Sequence, residues 1–216
     1  MGRTSDARDR LLQAALDLIW TNSYGTVSVD QICECAGVKK GSFYYFFPSK
    51  SDLAVEAYEA HWQQKRPEMD RIFSPQVPPL QRLESLCTCL YEGQKAKASA
   101  YGRVCGCPYA SVGMEVATQD EKLRIKSEEL MHRTLRYLES AVADVARDGF
   151  AVVEDPVAMS RQIYSLILGL MIRAKVQNDP EVLRELGPSV FQMLGVRQPH
   201  PYVPAQPATS AVPVLA

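Results

Sequence analysis

The sequence predicts an all-α protein: an N-terminal three-helix helix-turn-helix unit followed by a larger helical body. Three observations carry that expectation. Apolar residues recur at helical spacing in segment after segment, and no period-two strand pattern or internal repeat rises above background. Helix start and stop signals punctuate the chain, with Ser28, Ser49, Asp155-Pro156 and Asp179-Pro180 at starts and Gly37 and Gly149 at stops. The stretch from Ser28 to Leu53 reads as two short helices separated by a tight turn, with a second turn leading into a long helix.

Residues 1–5 read as a flexible arm. The first helix is expected over about Asp6 to Asn22, with Leu11, Leu12, Ala15, Leu18 and Ile19 as its buried stripe. Ser28 is an N-cap whose capping box is completed by Gln31, and Val29, Ile32 and Ala36 share one face of the helix it starts. Gly37 stops that helix because a left-handed residue there costs glycine little. The next helix runs from about Lys39 to Phe46. Phe43 and Phe46 pack inward, and Pro48 prevents continuation. Ser49 with Asp52 caps a helix over Lys50 to Ile72, with Pro67 a place where it bends or ends. Further helices are expected over about Leu80–Ala98, from Pro108 through Val116, over Gln119–Arg147 and over Pro156–Gln177. A last one starts at Asp179-Pro180, is kinked or broken at Gly187-Pro188 and ends near Gly195. The organisation is thus 1–48 for the helix-turn-helix unit and 49–195 for the body. A proline-rich tail expected to be disordered covers 196–216, with five prolines and little charge.

From Lys39 to Lys50 there are three positive charges and no acid, together with two tyrosines and two serines. Such a set suits a phosphate backbone, with hydroxyls, ammonium groups and helix-start N–H groups as donors. A solvated helical hairpin with half-buried tyrosines would show the same pattern. Residues Leu11 to Leu53 resemble the DNA-binding domain of the TetR family of bacterial transcriptional repressors. The matching residues are Ala15 and Leu18, Ser28-Val29-Asp30-Gln31-Ile32, Ala36-Gly37-Val38, Lys40-Gly41-Ser42-Phe43-Tyr44-Tyr45 and Phe47-Pro48-Ser49-Lys50. The pattern is departed from at Ser23, where glycine is usual, Val27, where threonine is usual, and Lys39, where a small residue is usual. Cys33 and Cys35 stand where alanines are common.

The resemblance implies a DNA-binding head on an all-helical ligand-binding and dimerisation body, acting as a homodimeric repressor that a small-molecule effector releases from a palindromic operator. Lys39, Lys40, Gly41, Ser42 and Tyr44 then face the major groove, while Ser28, Tyr45 and Lys50 hold phosphates. The helix between Ile163 and Ile172 is apolar on every side apart from Ser165, which implies a cover beyond its own core, namely a second subunit. Dimerisation is accordingly placed on 156–177 and 180–195.

Composition narrows the alternatives. The 216 residues carry 46% hydrophobic and 23% charged residues with a formal net charge of −1, ordinary for a chain that buries a core. A DNA binder needs only its contacting face to be basic. No apolar run reaches membrane-spanning length and the start is charged rather than signal-like, so a cytoplasmic protein with no membrane partner is expected. No nucleophile–base motif, phosphate-cradling glycine loop or His/Glu metal signature is present, which argues against an enzyme and calls for no cofactor and no metal. A helical interaction module without DNA binding would leave the Lys39–Lys50 face unexplained.

The six cysteines form three Cys-x-Cys pairs, 33/35, 87/89 and 105/107, read as free thiols. On a helix, i and i+2 point about 200° apart, so the first two pairs are poor chelators. Cys107 precedes Pro108 as an N-cap, where the helix dipole favours an exposed thiolate of lowered pKa. Gly106-Cys107-Pro108 also resembles the sensor loop of electrophile- and chlorine-sensing TetR-type repressors, and Ala174-Lys175-Val176 the segment carrying a partner lysine. That resemblance implies a redox-sensing alternative through Cys107 and Lys175. The generic reading is an effector pocket among the body helices, walled by Trp62, Tyr91, Tyr101, Cys107, Tyr109, Met114, Met131, His132 and Tyr164.

Overall fold

The computed structural model describes residues 3–196, which form nine α-helices and no strand. The head consists of α1 (Arg3–Thr21), a 3-10 turn (Tyr24–Thr26), α2 (Val29–Ala36) and α3 (Lys40–Phe46). The body consists of α4 (Lys50–Ile72), α5 (Pro79–Tyr101), α6 (Pro108–Val116), α7 (Glu121–Arg147), α8 (Pro156–Gln177), a second 3-10 turn (Pro180–Glu185) and α9 (Leu186–Met193). The tail expected over 196–216 lies, from residue 197 onward, outside the described residues. Of the arm expected over residues 1–5, residues 1 and 2 lie outside the described residues and α1 already begins at Arg3.

Local chemistry explains the head. The Ser28 hydroxyl accepts from the Gln31 N–H at 3.2 Å and the Gln31 side chain accepts from the Ser28 N–H at 2.8 Å, a complete capping box. At the other end of α2, Gly37 takes φ +61° and Arg10 reaches across from α1 to donate to the Ala36 carbonyl at 2.9 Å. Phe43 is fully buried, but Phe46 is only half-buried, and the deeper place belongs to Phe47. The chain turns extended at Phe47, at φ −132° and ψ 120°, which returns that ring to the core instead of carrying it around the helix. A fully buried phenylalanine contributes on the order of 2–3 kcal/mol.

The apolar core does not stop at the boundary between residues 48 and 49. One cluster runs from Leu11, Ile32, Phe43 and Leu53 straight into Tyr109, Val112 and Val116 of α6 and Leu123 and Leu130 of α7. A second cluster joins α5, the later half of α7, α8 and α9. Between α5 and α7, Arg82 is buried and donates to Asp144 at 2.5 Å and to the carbonyls of Val77 at 2.7 Å and Pro75 at 3.2 Å. It thereby pins the Ser74–Pro78 linker. Removing one member of such a buried pair costs about 3–5 kcal/mol.

Two details differ from the sequence pattern. Pro67 sits inside α4 without ending it. The break expected at Gly187-Pro188 occurs earlier: the chain is 3-10 through Glu185, and Pro188 falls in the first turn of α9, where a missing N–H loses nothing. Along α8, Gln162, Ser165, Gly169, Ile172 and Val176 form an exposed line free of charge, with Ile172 40% and Val176 80% exposed. Among the described residues, no helix is long and apolar enough to cross a membrane.

Candidate functional site

The α3 face is open. Tyr44 is 54% and Tyr45 76% exposed, and Lys39, Lys40, Gly41 and Ser42 are exposed with them. Each tyrosine ring leans edge-on against a phenylalanine, Tyr44 on Phe43 and Tyr45 on Phe46, both at 5.0 Å, so both are held without being covered. A Cβ on Gly41 would meet no atom of the chain within 4 Å. The Lys40 ammonium pairs with Asp30 at 2.8 Å, and that carboxylate holds its pKa up. Both partners are exposed, and solvent screening leaves such a pair weak. Ser28 is also exposed, although its hydroxyl already serves as the α2 cap.

Lys50 is a correction. Its ammonium turns inward, donating to the carbonyls of Tyr24 at 2.9 Å and Val27 at 2.8 Å and lying 4.1 Å from the centre of the Tyr24 ring. Burial pushes its pKa down. It holds the turn between α1 and α2 and is not presented as a phosphate contact. The opposite side of the same turn is held by Glu115 near the end of α6. Its carboxylate accepts from the Ser23 hydroxyl at 3.0 Å, the Tyr24 N–H at 2.9 Å and the Gly25 N–H at 2.6 Å. Ser23, one of the departures from the family pattern, thus gains a partner from the body.

A cavity of about 160 Å³ lies where α1, α4, α5, α6, α7 and α8 converge. Of the nine residues expected to wall an effector pocket, Trp62, Cys107, Tyr109 and Tyr164 line it. The structure does not bring the other five there. Tyr91 is buried elsewhere and donates to Glu181 at 2.8 Å, and Met131 packs against the head core. Tyr101, Met114 and His132 are exposed. Apolar and aromatic content alone did not tell which side of each helix faced inward.

Sequence reasoning missed Trp20, His61, Gln94 and Lys97, all of which line the cavity. A tryptophan off the α1 stripe and the adjacent His61-Trp62 pair were the available signals, and Lys97 gave none. Trp20 and Gln94 both donate to the Gly106 carbonyl at 3.1 Å, and Gln94 accepts from the N–H groups of Cys105 at 3.1 Å and Gly106 at 2.8 Å. The Cys105–Cys107 loop is thereby fixed, and Gly106 is required there: its φ is +71° and a Cβ would lie 3.1 Å from Lys175 Cδ. His61 Nδ1 is 2.8 Å from the Tyr109 hydroxyl, and burial, with the nearby Lys65 and Lys97 charges, pushes its pKa down to about 4.

Lys97 makes no hydrogen bond or ion pair among the described residues. Its ammonium lies 4.4 Å from the centre of the Trp20 ring, and burial pushes its pKa down. Lys97 is half-buried, so water still solvates part of its charge, and the ring face contributes about 0.5–2 kcal/mol to a cation. Its charge is therefore only partly compensated.

Cys107 is the second correction. It does precede α6, but its side chain makes no cap hydrogen bond and it is not fully exposed. Burial pushes the thiol up, and the N–H groups of Tyr109 and Ala110 and the charge of Lys175 offset this only in part. Lys175 itself packs on Gly106 and donates to the Ser111 hydroxyl at 3.3 Å. Among the described residues no cluster of metal-ligating side chains occurs.

Comparison with known proteins agrees with this geometry. Residues 11–57 match the family model for bacterial regulatory proteins of the tetR family, and residues 79–188 match the C-terminal domain model described as tetracyclin repressor-like. The transcriptional regulator AcuR of Cereibacter sphaeroides is 27% identical over 186 residues, covering 82% of this chain and 80% of that protein. The repressor NemR of Escherichia coli is 21% identical over 180 residues, covering 82% and 88%. The crystal structure of reduced E. coli NemR superposes with a TM-score of 0.75 at 22% identity, over 89% of this chain and 98% of that one. A TetR regulatory protein from Rhodobacter sphaeroides superposes with a TM-score of 0.77 at 23% identity, over 87% and 98%.

The neutral, buried His61 has a consequence for stability. Its folded pKa of about 4 lies below the ordinary 6.5, so as pH falls through that window the unfolded chain takes up a proton that the folded chain refuses. Stability contributed by His61 is complete above 6.5 and declines toward pH 4, by roughly 3 kcal/mol in all. Urea unfolding between pH 7 and 4 should show this decline in wild type and lose it in His61→Gln, which keeps an acceptor for Tyr109. Parallel pH curves for the two proteins would refute the assignment.

Proposed function

The chain belongs to the TetR family of bacterial transcriptional regulators, and on that footing we propose that it is a homodimeric repressor released from a palindromic operator by a small-molecule effector. The observation that carries the reading is the α3 face, where Tyr44, Tyr45, Lys39, Lys40, Gly41 and Ser42 stand exposed together with no covering element. Two such helices related by a two-fold axis would enter successive major grooves roughly 35 Å apart. Lys39, Lys40, Gly41, Ser42 and Tyr44 address the groove, and Tyr45 with the Ser28 region addresses phosphates. The weak Lys40–Asp30 pair yields readily to a phosphate. Open space at Gly41 allows close backbone approach. With a recognition helix of seven residues, few bases are read directly and DNA shape must contribute.

In this reading residues 1–48 bind DNA and 49–195 pair and sense. The uncharged line on α8 meets its copy in the partner subunit. The effector enters the cavity, and α6 carries its presence to the head, because that helix begins in the cavity wall at Pro108 and ends beside Glu115, which holds the α1–α2 turn. An effector that prefers one position of α6 shifts the population of head spacings and lowers operator affinity.

Cys107 supports a second reading. It lines the cavity beside Lys175, and NemR is among the relatives. In that reading an electrophile reaching the cavity modifies the thiol and produces the same shift of α6, with reactivity restrained until then by burial.

Gel shifts on the chain's own upstream DNA should show Tyr44→Ala weakening operator binding about tenfold or more while the protein stays dimeric and folded. Dissociation into monomers would instead make Tyr44 structural. Gly169→Arg has room within one subunit, so it should leave the fold intact and convert the dimer to monomers by size-exclusion chromatography. A dimer that persists would move the interface off α8. For the thiol reading, a thiol-reactive electrophile should release operator from wild type and not from Cys107→Ser; equal release from both would end it.

A further inference from the structure

We propose that the cavity takes a small organic monocarboxylate, with an apolar body between the aromatic walls and its carboxylate on Lys97. This rests on the cavity being the effector site. The argument begins with charge. Among the residues lining the cavity the ionised groups are Lys65, Lys97 and Glu68. Glu68 already pairs with Lys65, at 3.4 Å, and His61 is neutral above about pH 4. One positive charge is left over, and it belongs to Lys97, which among the described residues makes no hydrogen bond or ion pair and lies against the face of Trp20. A site with one surplus cation suits a monoanion. A phosphate dianion would need a second cation and several more donors.

Size and lining define the rest of the ligand. Trp20, Trp62, Leu86, Leu90, Ile167 and Met171 supply mainly apolar walls. An apolar cavity of about 150 Å³ is known to hold a benzene-sized molecule, so about 160 Å³ seats a body of that order, and the cavity is open to solvent on one side. Lys97 is half-buried, and a ligand carboxylate closing over it would replace its remaining water with a counter-charge. Lys97 lines the same cavity as Gly106 and Cys107 of the Cys105–Cys107 loop, which Trp20 and Gln94 both hold and which leads into α6.

The test uses the full chain and a matched set of probes: butanoate, hexanoate and benzoate, each beside its primary amide, which has the same shape and no charge. Binding is measured by calorimetry and, separately, operator release by gel shift. At least one acid should bind more tightly than its amide by about tenfold or more. Lys97→Arg should keep that preference, and Lys97→Met should reduce it to within about twofold, with circular dichroism reporting that the variant is folded; if Lys97→Met does not fold, Lys97→Gln takes its place. Amides that bind as well as acids, or a preference that survives loss of the cation, overturn the proposal. So does failure of every acid to bind. Release of operator by uncharged compounds alone overturns the proposal and leaves the effector reading standing. An acid that binds through Lys97 without releasing operator supports the anion site and removes the effector reading instead.

Discussion

The three-residue turn between α1 and α2 is the point on which the arrangement of the molecule depends. Backbone polar groups in such a turn need partners. The N–H groups of Tyr24 and Gly25 find theirs in Glu115 of α6, and the carbonyls of Tyr24 and Val27 find theirs in Lys50 at the start of α4. The head therefore cannot shift against α6 without breaking these part-buried hydrogen bonds or exchanging them for bonds to water. The contact is also close: a Cβ on Gly25 would lie 3.0 Å from Glu115 Oε1. Lys50 and Glu115 thus set where α2 and α3 stand relative to the body.

The same helix that ends at this clamp begins at the cavity. α6 is nine residues, about 13 Å end to end, too short to bend much. The cavity loop has a second link to the head through Trp20 of α1, which donates to the Gly106 carbonyl. The head is consequently tied to α6 at both ends, to the cavity loop through Trp20 and to Glu115 through the α1–α2 turn. The shared apolar cluster, running from Leu11 and Ile32 through Tyr109, Val112 and Val116, makes these attachments stiff, because packed cores move between discrete arrangements more readily than they deform.

How much of this the sequence shows depends on range. The α2 cap at Ser28 and Gln31, the left-handed stop at Gly37 and the cap at Ser49 join residues three or four apart, and the sequence pattern places them correctly. The open α3 face is legible for the same reason, as the polar side of a short helix between two stops. Lys50 was misjudged because its partners are more than twenty residues away, and a lysine at a helix start after a basic run looks solvated. Glu115, His61 with Tyr109 and Trp20 with Gly106 join residues 48 to 92 apart, with nothing local to mark them. Tyr91, Tyr101, Met114, Met131 and His132 show the converse: chemistry suited to a pocket, on helix faces that tertiary packing turned elsewhere.

Cys107 and Lys97 show why local position misleads about reactivity. The start of α6 does favour a thiolate, and the N–H groups of Tyr109 and Ala110 act in that direction. A helix end, however, contributes typically 0.3–1 kcal/mol, up to about 2 in partly buried settings, while withdrawing an ion from water costs several. Burial therefore sets the sign for Cys107, and equally for Lys97, where it acts against the ammonium. The two groups line one cavity and respond in opposite directions, each toward its neutral form. An anion entering that cavity reverses the balance for Lys97 by restoring a counter-charge, and it makes ionising the Cys107 thiol harder by adding a like one. Under the two proposed readings, occupation by an anion and activation of the thiol would therefore compete for one cavity.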